Sequence, residues 1–73
     1  MSDITVHIDE TLDAATIYAL KKDLASKQGV NRIDSNENRP HLMVVQYDHQ
    51  AMNSIEILNE VTDHGLHAEL IGF

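Results

Sequence analysis

The sequence contains no cysteine and no tryptophan. Without a thiol, the chain can form neither a disulfide nor a thiolate metal site, and it has no cysteine nucleophile or redox pair. It has only one proline and three glycines among 73 residues, and nothing resembles the glycine-rich loop that cradles a phosphate. These absences exclude several classes of enzyme and metal carrier.

Basic residues and long apolar runs are also scarce. Five Lys and Arg stand against twelve Asp and Glu, which gives a net charge of −7 at pH 7. A field of this sign repels phosphates, so we expect no nucleic-acid partner. No apolar run approaches the roughly 18 residues of a membrane-spanning helix, and we expect no membrane span. The first residues lack the basic start and apolar stretch of a signal peptide, so we expect a cytoplasmic location.

Length and periodicity predict one α+β domain over residues 1–73. Alternating apolar residues predict strands at 4–8, 30–35, 41–47 and 66–71, with a polar turn at 36–40. Asp13 and Asn53 begin two helices as N-caps, and Gly29 and Gly65 end them. The order β-α-β-β-α-β predicts a ferredoxin-like sandwich. Its four-stranded antiparallel sheet has the order 4-1-3-2, with both helices on one face.

Short motifs occur at the ends of these predicted elements. Gly-Val occurs at 29–30, Met-Val-Val-Gln-Tyr-Asp at 43–48 and Ala-Glu-Leu at 68–70, and the residues Ile57, Val61 and Gly65 are spaced by four. Together these motifs resemble the heavy-metal-associated (HMA) domain family of small metallochaperones and metal-pump modules. Asn53 falls where the family has a serine cap, and His49 falls where it has proline. The resemblance covers nearly the whole chain and implies the same fold.

The loop before the first helix departs from the family pattern. The family reads Met-x-Cys-x-x-Cys here, and the resemblance puts Asp13 and Thr16 at the two cysteine positions. The family's thiolates bind soft ions such as Cu(I), and neither a carboxylate nor a hydroxyl replaces them. The resemblance therefore implies an HMA-like domain without its thiolate site. Asp13 also has a simple structural explanation, because an aspartate at this position caps a helix.

The sheet face turned away from the helices is a candidate partner site. If the alternate residues of each strand face the helices, apolar side chains on the other face are left in water beside two histidines. Such a patch often marks a protein partner or self-association, although scattered exposed apolar residues are also ordinary. If the two histidines lie side by side, association should depend on pH at about 6 to 7. The predicted partner-binding residues are His7, Leu42, Val44, His67 and Ile71.

The histidines also allow a metal alternative. The topology predicts that His41, His64 and His67 gather at the end of the sheet that carries residues 9–16. Imidazoles and carboxylates together bind Zn, Ni or Cu(II). The helix dipole alone also explains a histidine at the end of the second helix. The alternative ligand set for a divalent ion is Asp13, His41, His64 and His67.

No catalytic constellation is evident in the sequence. No nucleophile is paired with a base, and both arginines, Arg32 and Arg39, lie outside the first strand–helix loop, where acylphosphatases of this fold hold phosphate. We therefore expect a non-catalytic binding or interaction module in a metal-related or regulatory context. The alternative is a metal-ion-binding protein that uses histidine and carboxylate ligands.

Overall fold

The computed structural model describes residues 2–36 and 38–71. The four strands form one antiparallel sheet, in which the first strand lies between the third and the fourth and the second pairs with the outer side of the third. This is the predicted order counted from the other edge, so the ferredoxin-like α+β fold is confirmed. Along the chain, the elements are β1 (Ser2–Ile8), α1 (Ala14–Ala25), β2 (Val30–Asn36), β3 (Arg39–Tyr47), α2 (Ser54–Asp63) and β4 (Ala68–Ile71).

The ends of the strands differ from the predicted ones where pairing decides them. Ser2 and Asp3 extend β1 because they pair with the end of β3. The β2–β3 turn is shorter than predicted, since Asn36 pairs with Arg39; Glu37, within the predicted turn, lies outside the described residues. β4 begins at Ala68, two residues later than predicted, and the backbone N–H of His67 before it bonds to a side chain instead of to a strand.

Both helices begin at the predicted caps. Oδ1 of Asp13 accepts a hydrogen bond from the backbone N–H of Thr16 at 2.8 Å, and Oδ1 of Asn53 accepts one from that of Glu56 at 3.0 Å. Each bond satisfies a donor that the first turn of a helix leaves free. α1 has 12 residues and α2 has 10. Within the described chain, no helix is long and apolar enough to cross a membrane.

The helix ends correct one prediction and confirm another. α1 ends at Ala25 with Ser26 as its C-cap, so Gly29 does not end this helix. Gly29 instead has φ +107° in the turn that leads into β2. Gly65 follows the C-cap of α2 directly and has φ +82°, the left-handed conformation that favours glycine after a helix.

One hydrophobic core lies between the sheet and the two helices. β1 and β3 contribute alternate residues to this core, partly buried residues of β2 and β4 pack against it, and both helices lie on that same face, as predicted. The opposite face is not covered by either helix. The buried residues are Ile4, Val6 and Ile8 from β1, Leu20 and Leu24 from α1, Met43, Val45 and Tyr47 from β3, and Met52, Ile57 and Val61 from α2 and the segment before it.

Candidate functional sites

Asp13 and Thr16, the two residues at the family's cysteine positions, have different structural roles at the start of α1. Asp13 has extended backbone, and its carboxylate is engaged by the backbone N–H of Thr16. This hydrogen bond favours the charged carboxylate and lowers the pKa of Asp13 below its ordinary value of 3.8. Thr16 itself lies within the first turn of α1. The prediction that Asp13 caps the helix is confirmed.

Glu10 ties this loop to the residue that precedes β4. Its Oε2 lies 2.6 Å from Nδ1 of His67, and its Oε1 accepts the backbone N–H of His67 at 2.9 Å. Because a carboxylate only accepts hydrogen bonds, Nδ1 of His67 carries the proton. The side-chain bond lowers the pKa of Glu10 and raises that of His67, and the backbone bond lowers the pKa of Glu10 further. Sequence reasoning placed His67 at this end of the sheet but missed Glu10 as its partner.

His41 anchors the same loop from β3. Its Nδ1 lies 2.9 Å from the carbonyl oxygen of Ile8 and 3.1 Å from that of Glu10. Since both carbonyls only accept, this nitrogen donates to them. The ring also stacks on His7, with 6.1 Å between the ring centroids. The side chain therefore braces the loop.

His64 lies in the helix layer rather than beside the other two histidines. Its Nε2 is 2.9 Å from Oδ2 of Asp23 on α1 and 3.8 Å from Oε2 of Glu60 on α2. Lys27 holds the other oxygen of Glu60, Oε1, at 2.8 Å, and this bond raises the pKa of Lys27. Sequence reasoning named neither carboxylate. The four-residue spacing of Glu60 and His64 was the available signal.

The structure does not bring the four predicted metal ligands together as one set. Asp13 caps α1, His41 binds backbone carbonyls, His67 binds Glu10 and His64 faces the other helix. Within residues 2–36 and 38–71, a single group of at least three such side chains has converging ligand atoms. It consists of Asp23, Glu60 and His64.

The open sheet face carries apolar side chains on β3 and β4, on either side of β1. Thr5 in β1 lies directly between Val44 of β3 and Ile71 of β4. Val44 is 36% exposed and Ile71 42% exposed, while Leu42 is partly buried. The alternation predicted for these strands is thus confirmed. We call the surface formed by Thr5, Leu42, Val44 and Ile71 the open-face patch.

The two histidines at this face do not lie side by side. His7 is opposite Glu69 in β4, whereas the carbonyl oxygen of His67 accepts the backbone N–H of Asp9. The offset arises because β1 and β4 pair with Ile8 opposite Ala68. His7 has carboxylates on two sides, with its Nδ1 3.4 Å from Asp9 and 4.0 Å from Glu69.

Acidic side chains surround the open-face patch. By strand alternation, four carboxylates and Arg32 share this side of the sheet, and Arg39 lies at its β2–β3 edge beside Leu42 and Val44. Arg32 pairs with Asp34 at 3.1 Å, and Asp34 lies opposite Val44. The open face therefore combines apolar contact area with a negative field. The four carboxylates belong to Asp3, Asp9, Asp34 and Glu69.

An apolar cleft separates the start of α1 from the β2–β3 edge. Its volume is about 440 Å³, and its lining includes Leu12, Ile17, Pro40 and Met43, with Arg39 as the only charged side chain. Leu12 also packs against the core. The cleft lies beside the Asp13 cap and offers an apolar wall rather than ligand atoms.

Solved structures share this fold, although no protein-family model matches the sequence and a search of curated proteins finds no relative. A copper-binding domain from HMA7, a P-type ATPase, superposes with a TM-score of 0.87 at 22% identity, over 99% of this chain and 96% of that chain. Oxidized MerP from Ralstonia metallidurans CH34 gives 0.84 at 17% identity, covering 97% of both chains. The CopZ metallochaperone gives 0.80 at 18% identity, over 96% and 100%.

These similarities confirm the resemblance to HMA domains at the level of fold. The superposed proteins include domains described as copper-binding or as metallochaperones. This chain has the same architecture but no cysteine anywhere in its sequence. A thiolate site of the HMA type is therefore absent from it.

Proposed function

We propose that this protein is a non-catalytic binding module that recognises a partner protein through the open-face patch. The observation that carries the proposal is the row of Val44, Thr5 and Ile71 across β3, β1 and β4, with both apolar side chains exposed. Both helices pack on the opposite side of the sheet. Exposed apolar side chains surrounded by polar groups are typical of protein interaction sites.

The negative charge around the open-face patch indicates the kind of partner surface that it fits. Four carboxylates lie around the patch against two arginines: Arg32 is paired with one of them, and Arg39 lies at the β2–β3 edge. The carboxylates are those of Asp3, Asp9, Asp34 and Glu69. A partner with apolar side chains flanked by lysine or arginine complements this surface. A second copy of the same chain does not, because two such acidic faces repel each other. We therefore propose a basic protein surface as the occupant and expect the free protein to remain monomeric.

The Asp9–Thr16 loop supports this reading of the site. Its carboxylates at Glu10 and Asp13 hold His67 and the start of α1, respectively. Neither is free to act on a substrate without loss of a structural contact. The loop that resembles the family's metal-binding segment therefore holds the fold together, which favours binding rather than metal transfer as the function.

Affinity capture with two matched variants tests the proposal. Val44→Glu places a charge in the open-face patch, and Ile55→Glu places the same charge at a 54% exposed apolar residue on α2. We expect wild type and Ile55→Glu to capture the same protein and Val44→Glu to lose it. The captured protein is then purified and titrated directly against each variant, and affinity should fall as salt rises. Equal binding by Val44→Glu, or dimerisation of the free chain through this face, contradicts the proposal.

A further inference from the structure

The helix layer carries a second candidate site, remote from the open face. Asp23 lies near the end of α1, Glu60 lies in the last turn of α2, and His64 caps α2. Residues four apart in a helix share a face, so Glu60 and His64 both turn toward α1. One ligand atom from each of the three side chains lies within 4.8 Å of the others. We propose that Asp23, Glu60 and His64 bind one zinc ion between the two helices.

The spacing of the ligand atoms fits a tetrahedral ion. Nε2 of His64 is 2.9 Å from Oδ2 of Asp23 and 3.8 Å from Oε2 of Glu60. Two atoms bound tetrahedrally to zinc at about 2.0–2.1 Å lie about 3.3 Å apart. The two separations from Nε2 lie on either side of that value, and all three ligand atoms lie within 4.8 Å of one another. Zinc would take the position of the proton that Nε2 now directs at Asp23.

Surrounding contacts hold the ligands in place. Lys27 binds Oε1 of Glu60 at 2.8 Å, which leaves Oε2 directed at His64. The side chains of Glu60 and His64 are only 19% and 21% exposed, and partial burial strengthens their attraction for a cation. Asp23 is 54% exposed. Solvent therefore reaches the ion and supplies a water as fourth ligand, as in zinc sites with three protein ligands.

The donor set selects the ion. One imidazole nitrogen and two carboxylate oxygens suit Zn²⁺, whereas soft Cu(I) requires sulfur ligands. This site would cross-link α1 and α2, because it takes Asp23 from one helix and Glu60 and His64 from the other. Since it lies on the opposite side of the sheet from the open-face patch, it goes beyond the proposed partner binding, and either proposal can fail alone.

Calorimetric titration with ZnCl₂ tests the site, with protein purified without a histidine tag. We expect one ion per chain with a Kd tighter than about 100 µM and a higher unfolding temperature when zinc is bound. His64→Ala and Asp23→Asn should each weaken binding on the order of tenfold or more. His67→Ala, which removes a histidine outside the cluster, should retain the wild-type affinity.

Amide NMR shifts locate the bound ion. Zinc should perturb the end of α1 and the last turn of α2 and leave β1 unchanged. If His64→Ala fails to fold, Asp23→Asn still tests the site. Asp23 is exposed, and the Lys27–Glu60 ion pair does not involve it. Wild-type binding weaker than about 100 µM, binding that survives both substitutions, or binding lost in His67→Ala would overturn the proposal. The cluster would then be an ion-pair network only.

Discussion

Glu10 and His67 form a two-point contact that joins the β1–α1 loop to the start of β4. The carboxylate receives the imidazole Nδ1–H at 2.6 Å and the backbone N–H of the same histidine at 2.9 Å. These residues are 57 positions apart in the chain. The contact therefore ties the β1–α1 loop, which carries Asp13 and Thr16, to β4 at the edge of the sheet.

The Glu10–His67 pair makes stability depend on pH in a defined window. The raised pKa of His67 contributes stability that is complete below 6.5 and is lost as pH rises through the folded-state pKa. The lowered pKa of Glu10 contributes stability that is present above 4.5 and is lost as pH falls through its folded-state pKa. The pair therefore stabilises the fold most between pH 4.5 and 6.5.

Histidine NMR titration checks this pair directly. Glu10→Gln removes the charge that holds the imidazolium, so the titration midpoint of His67 should fall. Glu69→Gln is the control, because Glu69 contacts His7 rather than His67. An unchanged His67 midpoint in Glu10→Gln would show that the contact does not form in solution.

The caps predict which substitutions at helix starts are tolerated. Asn53→Ala should cost about 1 kcal/mol in the free energy of unfolding, whereas Asn53→Asp should cost little because it retains the acceptor oxygen. Asp13→Ala should lower stability and Asp13→Asn should preserve it, for the same reason. Denaturant titration measures all four. Equal stability of Asp13→Ala and Asp13→Asn would mean that Asp13 is not needed as a cap.

Two glycines with positive φ should respond differently to alanine. Nothing lies within 4 Å of a Cβ added at Gly65, so Gly65→Ala should cost about 1–2 kcal/mol from backbone strain alone. At Gly29 the added Cβ lies 3.0 Å from Cβ of Ala51 and 3.2 Å from Cγ of Met52. Gly29→Ala should therefore cost more. Gly65→Asn should be milder than Gly65→Ala, since asparagine tolerates this conformation; the reverse order in denaturant titration would contradict the assigned turn.

A pair of isoleucines on α2 tests which face of the helix is buried. Ile57 is 0% exposed and Ile55 is 54% exposed. Ile57→Val should cost about 0.5–1.5 kcal/mol because it opens space in the core. Ile55→Val makes the same chemical change at the surface and should stay within about 0.5 kcal/mol of wild type. Similar losses at both positions in urea unfolding would argue against this orientation of α2.

The fold was largely predictable because its signals are local. Asp13 and Asn53 stand directly before helical spacing, and Gly65 follows it, so each boundary is set by a few neighbouring residues. The prediction that Gly29 ends α1 was wrong for the same reason. It relied on a nearby glycine alone, although Ser26 already caps the helix. The strand order then followed from short connections and right-handed crossovers.

The site contacts were less predictable because they join distant parts of the chain. His64 was expected near His41 and His67, but it meets Asp23, 41 residues away in sequence, because of how α1 and α2 pack. Likewise, the register of β4 puts His7 opposite Glu69 rather than His67. Periodicity places a residue on one face of its own helix or strand. Which residue it contacts on a neighbouring element depends on tertiary packing.

The most direct test of partner recognition is methyl NMR of the chain titrated with the purified captured protein. We predict that the methyl signals of Val44 and Ile71 shift or broaden as the partner is added, while those of Ile55 on α2 stay in place. This result would locate binding at the open-face patch. Perturbation centred on Ile55, with Val44 and Ile71 unmoved, would contradict the account.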